Sequence, residues 1–232
     1  MQAQEKEELL YKLLNLRNVG GLHILGPDAP SSMHFIARLE AAASAEYAIG
    51  APRTDLILGL NQLNILRALT TNIEVLGFTA SEMHDDASSP FFSPNAWLTS
   101  RRIEWSNLPA TLTPTAIQCT IEHHPWLDLI PLPQLRDNLI LADAAGQLDE
   151  YQLCHDLCGH QSAPDGFSGV LVWRDPWDAS GWEITGKFLE RWGWVLQDCW
   201  ELWVSTNYWR TKRGVGKIGR GVWAEACEQR RT

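Results

Sequence analysis

Apolar residues in the N-terminal half of the chain recur at helical spacing in three segments that turn-forming residues separate. The pattern predicts helices at residues 3–17, at 33–45 and, with Asp55 as the capping residue, from there to about Leu76. The tetrapeptide LHIL at 22–25 is typical of a short strand. Residues 77–114 are rich in Ser, Asp and Pro, which predicts a loop-like insertion or lid.

The C-terminal half alternates short strand-like runs with helical ones. The pattern predicts strands at 116–121 and 169–173 and helices at 133–142, 148–158, 182–204 and 222–231. Because strands separated by helices favour a parallel sheet, we expect a helix-rich α/β fold with a short, mainly parallel, Rossmann-like sheet. A mostly α-helical fold is the alternative. The length of 232 residues favours a single domain that covers residues 1–232.

Tryptophan is concentrated in one part of the chain, because eight of the twelve lie between Trp173 and Trp209. An apolar stripe at helical spacing predicts core positions at Phe188, Trp192, Val195, Cys199 and Trp203. Other tryptophans lie off this stripe among acidic residues: Trp177, Trp182, Trp194, Trp200 and Trp209, with Asp175, Asp178, Glu183, Asp198 and Glu201. Because an indole face stacks on a guanidinium and a carboxylate pairs with one, this composition indicates a pocket for a cationic amino-acid side chain.

The segment EHHPWLDLIPLPQLRDNLI, residues 122–140, gathers ionisable and amide side chains: His123, His124, Asp128, Arg136, Asp137 and Asn138. A histidine pair beside Pro-Trp can supply a general base near neutral pH. The alternative is structural: one histidine satisfies a buried backbone group, and the arginine pairs with an aspartate.

A polar line also follows the predicted helix from Asp55 to Leu76, through Asn61, Asn64, Arg67 and Thr71. Their spacing places these residues on one face. An arginine among leucines and isoleucines needs a partner or a ligand, so this face is either a binding surface or the exposed side of an amphipathic helix.

Other candidate motifs are weaker. Ser31 and Ser32 precede a predicted helix and serve either as its cap or as an exposed nucleophile. The string CHDLCGH at 154–160 has no second ligand cluster at zinc spacing, so we expect no metal. The chain contains no phosphate-binding P-loop, and we expect no cofactor.

Composition and charge restrict the class of partner. The odd number of cysteines, five, and the absence of an N-glycosylation acceptor indicate a reducing, cytoplasmic compartment. The apolar runs are far too short for a membrane span, so no membrane partner is expected. The net charge of −9 argues against general nucleic-acid binding. Residues 205–221 nevertheless carry five basic residues and no acidic one, and form either a solvated segment or a local phosphate-binding strip.

Several strings carry a family resemblance: HHPWLDLIPLPQLRDNLI, VWRDPWDASGWEITGKFLERWGW and STNYWRTKRG, preceded by LILGLNQLNILRALTTNIEVLG. Together they resemble the fungal domain-of-unknown-function family best known from the C-terminal part of bZIP-type transcription factors. The resemblance covers about residues 54–216 in the family's order. The basic region and leucine zipper of those factors are not recognisable in this sequence, so we expect no sequence-specific DNA binding.

Stand-alone members of the family resemble fungal arginine-containing cyclodipeptide synthases of secondary metabolism. That resemblance implies an aminoacyltransferase that takes arginine and a second amino acid from charged tRNAs and joins them into a diketopiperazine without ATP. Its partners would be arginyl-tRNA and a second aminoacyl-tRNA. Two alternatives stay open: a transcriptional co-regulator without its own bZIP region that binds a small molecule or a protein, and a tailoring enzyme whose pocket holds another cation.

For the synthase reaction, the candidate residues fall into three groups. The catalytic candidates are His123 or His124 as base, Asp128 to orient it, Tyr208 to assist proton transfer, and Glu183. The substrate-binding candidates are Asp175, Asp178 or Glu183 for the guanidinium, Trp177 or Trp182 for stacking, and Asn64, Arg67, Arg136, Asn138 and Asn207. The candidates for tRNA phosphates are Arg210, Lys212, Arg213 and Lys217.

Overall fold

The computed structural model describes residues 54–84, 86–92, 105–158 and 169–229. Its helices are α1 (Thr54–Val75), α2 (Ala116–Thr120), α3 (Pro133–Ala144), α4 (Glu150–Leu157), α5 (Gly186–Trp192), α6 (Trp200–Lys212) and α7 (Arg220–Glu228). The strands are β1 (Val170–Val172) and β2 (Trp182–Ile184). Short 3-10 segments lie at Ala80–Glu82, Trp105–Asn107, Ala110–Leu112, Pro125–Leu129, Ala179–Gly181 and Gly193–Leu196. The elements predicted at 3–17, 22–25 and 33–45 lie outside the described residues.

The sheet corrects the predicted fold class. Within the described ranges it has two strands, and β1 and β2 pair antiparallel, with Val170 opposite Ile184 and Val172 opposite Trp182. The expectation of a mainly parallel, Rossmann-like sheet is therefore wrong for this part of the chain, which is mostly α-helical. The cause is the short connection at 173–181, because a parallel crossover needs a dozen or more residues.

Two predicted elements of the second half differ from the structure. Residues 116–121 were expected as a strand but form α2, because Thr115 and Gln118 make a reciprocal capping box at its start. The helix predicted over 182–204 is divided into β2, α5, a 3-10 turn and α6. Thr185 caps α5, and Asp198 interrupts the helical path with a φ of 60°.

Four helices agree with the sequence pattern within a few residues: α1, α3, α4 and α7. Among the residues with described burial, four tryptophans are fully buried in the core: Trp126, Trp182, Trp192 and Trp223. The predicted apolar stripe is confirmed as core, since four of its members are buried and Trp203 is partly buried against them. No helix in the described ranges is both long enough and apolar enough to cross a bilayer.

The predicted loop-like segment 77–114 contributes apolar side chains to the same core: Phe78, Met83, Phe91 and Leu112. The role of this segment as a lid or insertion stays a prediction. The assignment of the whole chain to one domain also stays a prediction.

Helices α6 and α7 are positioned by specific polar contacts and by one glycine. The Ser205 hydroxyl donates to the carbonyl of Trp182 in β2, and the Thr206 hydroxyl accepts from the Ile184 amide at 3.1 Å. Helix α7 packs on the 3-10 turn at Gly193–Leu196. A Cβ on Gly193 would lie 2.6 Å from the Ala226 carbonyl oxygen, so only glycine allows this close approach.

Candidate functional site

His123 and Asp128 lie at the centre of a buried polar network. Asp128 Oδ1 accepts from His123 Nε2 at 2.8 Å and from Gln118 Nε2 at 2.5 Å, while its Oδ2 accepts from the Ser89 hydroxyl at 2.6 Å. His123 Nδ1 lies 2.7 Å from the Ile121 carbonyl oxygen, so both ring nitrogens face acceptors, as in a protonated ring. Burial lowers the pKa of His123, but the bond to Asp128 and its charge outweigh burial and raise the pKa overall.

Arg136 extends this network to the carbonyls of two loops. Its Nε donates to Gln118 Oε1 at 2.9 Å, and its Nη1 donates to the carbonyls of Thr111 and Ile130 at 2.6 and 2.7 Å. Its Nη2 donates to the Thr113 carbonyl at 2.9 Å. Burial lowers the pKa of Arg136 to about 10. The guanidinium therefore cross-links the core through one side-chain amide and three backbone carbonyls, whereas the structural alternative paired this residue with an aspartate.

His124 is also fully engaged in hydrogen bonds. Its Nδ1 accepts from the Trp126 amide at 3.2 Å and caps the turn at Pro125–Leu129, while its Nε2 lies 2.9 Å from the His84 carbonyl oxygen. The ring is thus neutral with its proton on Nε2. Either His123 or His124 would have to give up a structural bond to act as a base, and the catalytic role of the pair stays a prediction.

Glu183, Trp173 and Arg213 form what we call the internal guanidinium cage. Glu183 is fully buried, and its Oε1 accepts from Arg213 Nη2 at 2.5 Å. Its Oε2 accepts from Trp173 Nε1 at 2.8 Å, and the Arg213 guanidinium lies 6.0 Å from the centre of the Trp173 ring. A carboxylate and an indole therefore hold a guanidinium here, but the guanidinium belongs to the chain itself. The predicted pocket for a ligand side chain stays a prediction.

Aromatic rings continue from the cage toward the surface. Trp173 stacks on Trp209 with centroids 5.3 Å apart, and Tyr208 meets Trp209 edge-on at 5.1 Å. The Arg174 guanidinium lies 5.8 Å from the centre of the same Trp209 ring. A second cation of the chain, Arg174, thus lies beside this ring stack.

The other residues predicted to bind a guanidinium are either exposed or make structural contacts. Asp175 is exposed, and Trp177 is partly buried against the core. Trp182 is buried and donates to the Pro176 carbonyl at 3.0 Å. Asp178 caps the turn at Ala179–Gly181, and hydrogen bonds from Ser180 lower its pKa.

The predicted amide residues connect elements of the fold. Asn64 accepts from the Val172 amide at 2.7 Å and joins α1 to β1. Asn138 donates to the carbonyls of Val195 and Gln197, both at 2.8 Å. Asn207 brackets Ile218, accepting from its amide at 2.7 Å and donating to its carbonyl at 3.0 Å. Arg67 is exposed on α1, and its role as a ligand contact stays a prediction.

An open counterpart of the cage lies between α7 and the turn that precedes α6. This acid–tryptophan cavity of about 750 Å³ is lined by three indoles and two carboxylates: Trp194, Trp200, Trp223, Asp198 and Glu228. Among its lining residues in the described part of the chain there is no Lys, Arg or His. Cys227 also lines the cavity, and burial, reinforced by the charges of Asp198 and Glu228, raises its pKa to about 11.

A second, smaller cavity adjoins the first. This apolar groove of about 430 Å³ follows one face of α6, where exposed Trp200, Val204 and Tyr208 are spaced four residues apart. Arg174 and Glu201 lie at its edge. Trp200 lines both cavities and is therefore their common wall. The acid–tryptophan composition of the sequence already included Trp194, Asp198 and Trp200 of this cavity. Nothing in the sequence indicated that Trp223 and Glu228 of α7 would complete it.

The basic strip follows the end of α6 and the start of α7. Lys212, Lys217 and Arg220 are exposed, and Arg210 is partly buried and donates to the Gly216 carbonyl at 2.6 Å. Arg213, also predicted to contact tRNA, instead lies in the internal cage. Three of the four predicted phosphate contacts thus remain on the surface.

The described residues form a mostly α-helical fold with an antiparallel two-stranded hairpin and an acid–tryptophan cavity beside a basic strip. Residues 93–203 match the family described as domain of unknown function DUF3425, which is somewhat less than half of the chain. The match includes His123, Asp128, Gln118 and Arg136 of the buried network, both strands and the start of α6. Ser89 of that network precedes the matched range, and the basic strip and α7 follow it. No curated protein matches the chain, and no solved structure does.

Proposed function

We propose that this protein is a tRNA-dependent cyclodipeptide synthase that joins arginine to a second amino acid as a diketopiperazine. The observation that carries the proposal is the position of Trp200 as the wall common to the acid–tryptophan cavity and the apolar groove. A condensation of two amino acids needs two side-chain sites so close that the reacting backbones meet between them. Adjoining cavities of different chemistry satisfy that requirement and would also distinguish the two substrates.

The charge distribution along α7 supports the same proposal. Helix α7 begins at Arg220 in the basic strip and ends at Glu228 in the cavity, a distance of about 12 Å at 1.5 Å per residue. The end of an arginyl-tRNA is anionic along its phosphates and cationic at its amino acid. Strip and cavity offer the complementary charges in the same order.

The proposed reaction has two steps, and in each an amine attacks an ester. The α-amine of one aminoacyl-tRNA attacks the ester carbonyl of the other, an amide forms, and the released ribose oxygen takes up the proton that the amine loses. The α-amine of the resulting dipeptidyl-tRNA then attacks its own ester, which closes the ring and releases the second tRNA. Both esters are already activated, so the reaction needs no ATP, and its compartment would be the cytoplasm, where charged tRNAs are found.

Among the predicted catalytic residues, Tyr208 is the one that lines the groove with an exposed side chain. We propose that its hydroxyl passes the proton from the attacking amine to the leaving oxygen. His123, Asp128 and Glu183 are buried and bonded within the fold, and we propose that they position the elements around the two cavities.

The test is mass spectrometry of extracts from a host that expresses this chain, compared with a host carrying an empty vector. We expect a new cyclic dipeptide that contains arginine, and the same product from purified protein with arginyl-tRNA and a pool of charged tRNAs. Tyr208→Phe should lower the rate, whereas Tyr151→Phe, at another exposed tyrosine, should not. Folded protein that forms no cyclic dipeptide in either experiment would contradict the proposal.

The second candidate is a regulator that binds a protein partner without its own bZIP region. The exposed stripe of Trp200, Val204 and Tyr208 favours it, because such apolar stripes on a helix recur at protein interfaces. Nucleic acid retained by the purified chain separates the two functions, since a synthase should carry tRNA, whereas this regulator should not.

A further inference from the structure

The internal guanidinium cage shows which side chains hold a guanidinium in this protein. One carboxylate accepts two of its N–H groups, and one indole face lies 6.0 Å away. Arg213 occupies this cage, and its own bonds to Glu183 exclude an external guanidinium from the same carboxylate. A cationic ligand therefore needs another site of the same chemistry.

The acid–tryptophan cavity is such a site without an internal cation in the described part of the chain. Asp198 and Glu228 face a space lined by three indoles, and no basic side chain of those ranges lines it. Two carboxylates beside one cavity repel each other, and a ligand cation would relieve that repulsion. Burial is the larger cause of the raised pKa of Cys227. The negative charges of the same two carboxylates add to it, because they oppose formation of the thiolate.

Trp194 contributes its ring to the lining of the cavity, together with Trp200 and Trp223. Three indoles beside two carboxylates suit a planar organic cation. The volume of about 750 Å³ lies in the range of small-molecule sites.

We infer that the acid–tryptophan cavity binds an organic cation of the guanidinium class. Its carboxylates pair with the cation, and its indoles stack on it. Within the proposed function, on which this last identification rests, the ligand is the arginyl group of arginyl-tRNA. The guanidinium site thus lies at Asp198 and Glu228 and not at Glu183.

The test is calorimetric titration of the purified full chain with L-arginine methyl ester. L-Citrulline methyl ester is the matched probe, because a neutral urea replaces the guanidinium at nearly the same shape. We expect the arginine ester to bind at least tenfold more tightly. Equal affinities for the two esters would overturn the inference.

The variant for the same titration is Asp198→Asn with Glu228→Gln. Asparagine suits position 198, because it tolerates the positive φ found there. The double variant should lose at least tenfold in affinity for the arginine ester. Glu225→Gln is the matched control, since Glu225 is exposed on the same helix but does not line the cavity, and it should bind as the wild type does. A double variant that binds like this control would also overturn the inference.

Hydrogen exchange of the unaltered protein needs no variant to fold. Arginine methyl ester should slow exchange in the segments 194–200 and 220–228. Slowing confined to segments that contain Glu183 and Arg213 would assign the cation to the internal cage and overturn the inference.

Two cationic residues, Arg230 and Arg231, follow Glu228 closely in the sequence. A chain with Arg230→Gln and Arg231→Gln should bind the ester with unchanged affinity. If the ester bound to this variant but not to the wild type, the chain's own arginines would occupy the cavity. That result would overturn the inference.

Binding and catalysis can fail separately. Ester binding without any cyclic dipeptide would retain the cation site and remove the proposed function. Dipeptide formation that is unchanged in the Asp198→Asn, Glu228→Gln variant would retain the function and remove the assignment of the cavity.

Discussion

The internal guanidinium cage and the acid–tryptophan cavity are built from the same types of side chain and differ in what completes them. In the cage, Glu183 is fully buried and its charge is matched by Arg213 of the same chain. In the cavity, exposed Asp198 and Glu228 have no such match among the described lining residues. Composition alone therefore does not separate a structural ion pair from a ligand site. The position of the nearest cation of the chain does.

The largest effect should come from removing the cage carboxylate. Glu183→Gln leaves the guanidinium of Arg213, only 21% exposed, without its counter-charge, and we expect it to lower the free energy of unfolding. The loss should be about 3 kcal/mol, the lower end for a broken buried pair. Urea unfolding measures it, with Glu190→Gln on the exposed side of α5 as the matched control.

The same comparison has a second arm at the cavity. Asp198→Asn with Glu228→Gln should change the unfolding free energy by no more than about 0.5 kcal/mol, because exposed charges contribute little to stability. A loss at the cavity as large as that at the cage would contradict the distinction between a structural pair and a ligand site.

The buried network should make stability depend on pH through His123. The folded state raises the pKa of this group above its ordinary value of 6.5, so its stabilisation is fully present below that value. It is lost as pH rises through the folded pKa. We expect His123→Gln to cost about 2 kcal/mol at low pH, in the range for hydrogen bonds to charged groups, and less as pH rises. Identical pH profiles of unfolding for wild type and variant would show that another group is responsible.

These contrasts also show how far the sequence predicts the structure. Helices α1 and α3 follow their apolar period, because local spacing decides where a helix can bury one face. Strand β2 was not predicted, because it forms only by pairing with β1, which precedes the turn at 173–181. Thr115 and Gln118 outweighed the strand propensity of 116–121 by capping a helix.

The candidate site shows the same limit. Acids and tryptophans in residues 174–210 were interpreted as a guanidinium pocket, and that pocket stays a prediction. The sequence could not show that Arg213 returns to Glu183, since that contact depends on the path of α6. Trp194, Trp200 and Asp198 were recognised as members of the acid–tryptophan composition. Their partners on α7 lie beyond a loop, and only the packing of α7 on Gly193–Leu196 brings them together.

That packing can be tested by a substitution at its closest contact. Gly193→Ala should lower the unfolding free energy by about 1–3 kcal/mol, because its Cβ would lie 2.6 Å from the Ala226 carbonyl oxygen and push α7 outward. It should also weaken binding of arginine methyl ester, since α7 forms one wall of the cavity. Gly186→Ala is the control, because a Cβ there would contact nothing within 4 Å. Equal stabilities for the two variants would mean that α7 does not approach the turn this closely.

The smallest effect on stability, and one specific to function, should come from the basic strip. Lys217→Gln with Arg220→Gln should change the unfolding free energy by less than about 0.5 kcal/mol, since both side chains are exposed. In filter binding of uncharged tRNA, the slope of log affinity against log salt should become shallower by about 0.7 to 0.9 for each phosphate contact that is lost. Arg213→Gln should show the opposite pattern, with a large loss of stability and an unchanged slope, because its guanidinium faces Glu183. An unchanged slope in the strip variant would leave the strip as a solvated segment, and a shallower slope in Arg213→Gln would mean that the cage opens toward RNA.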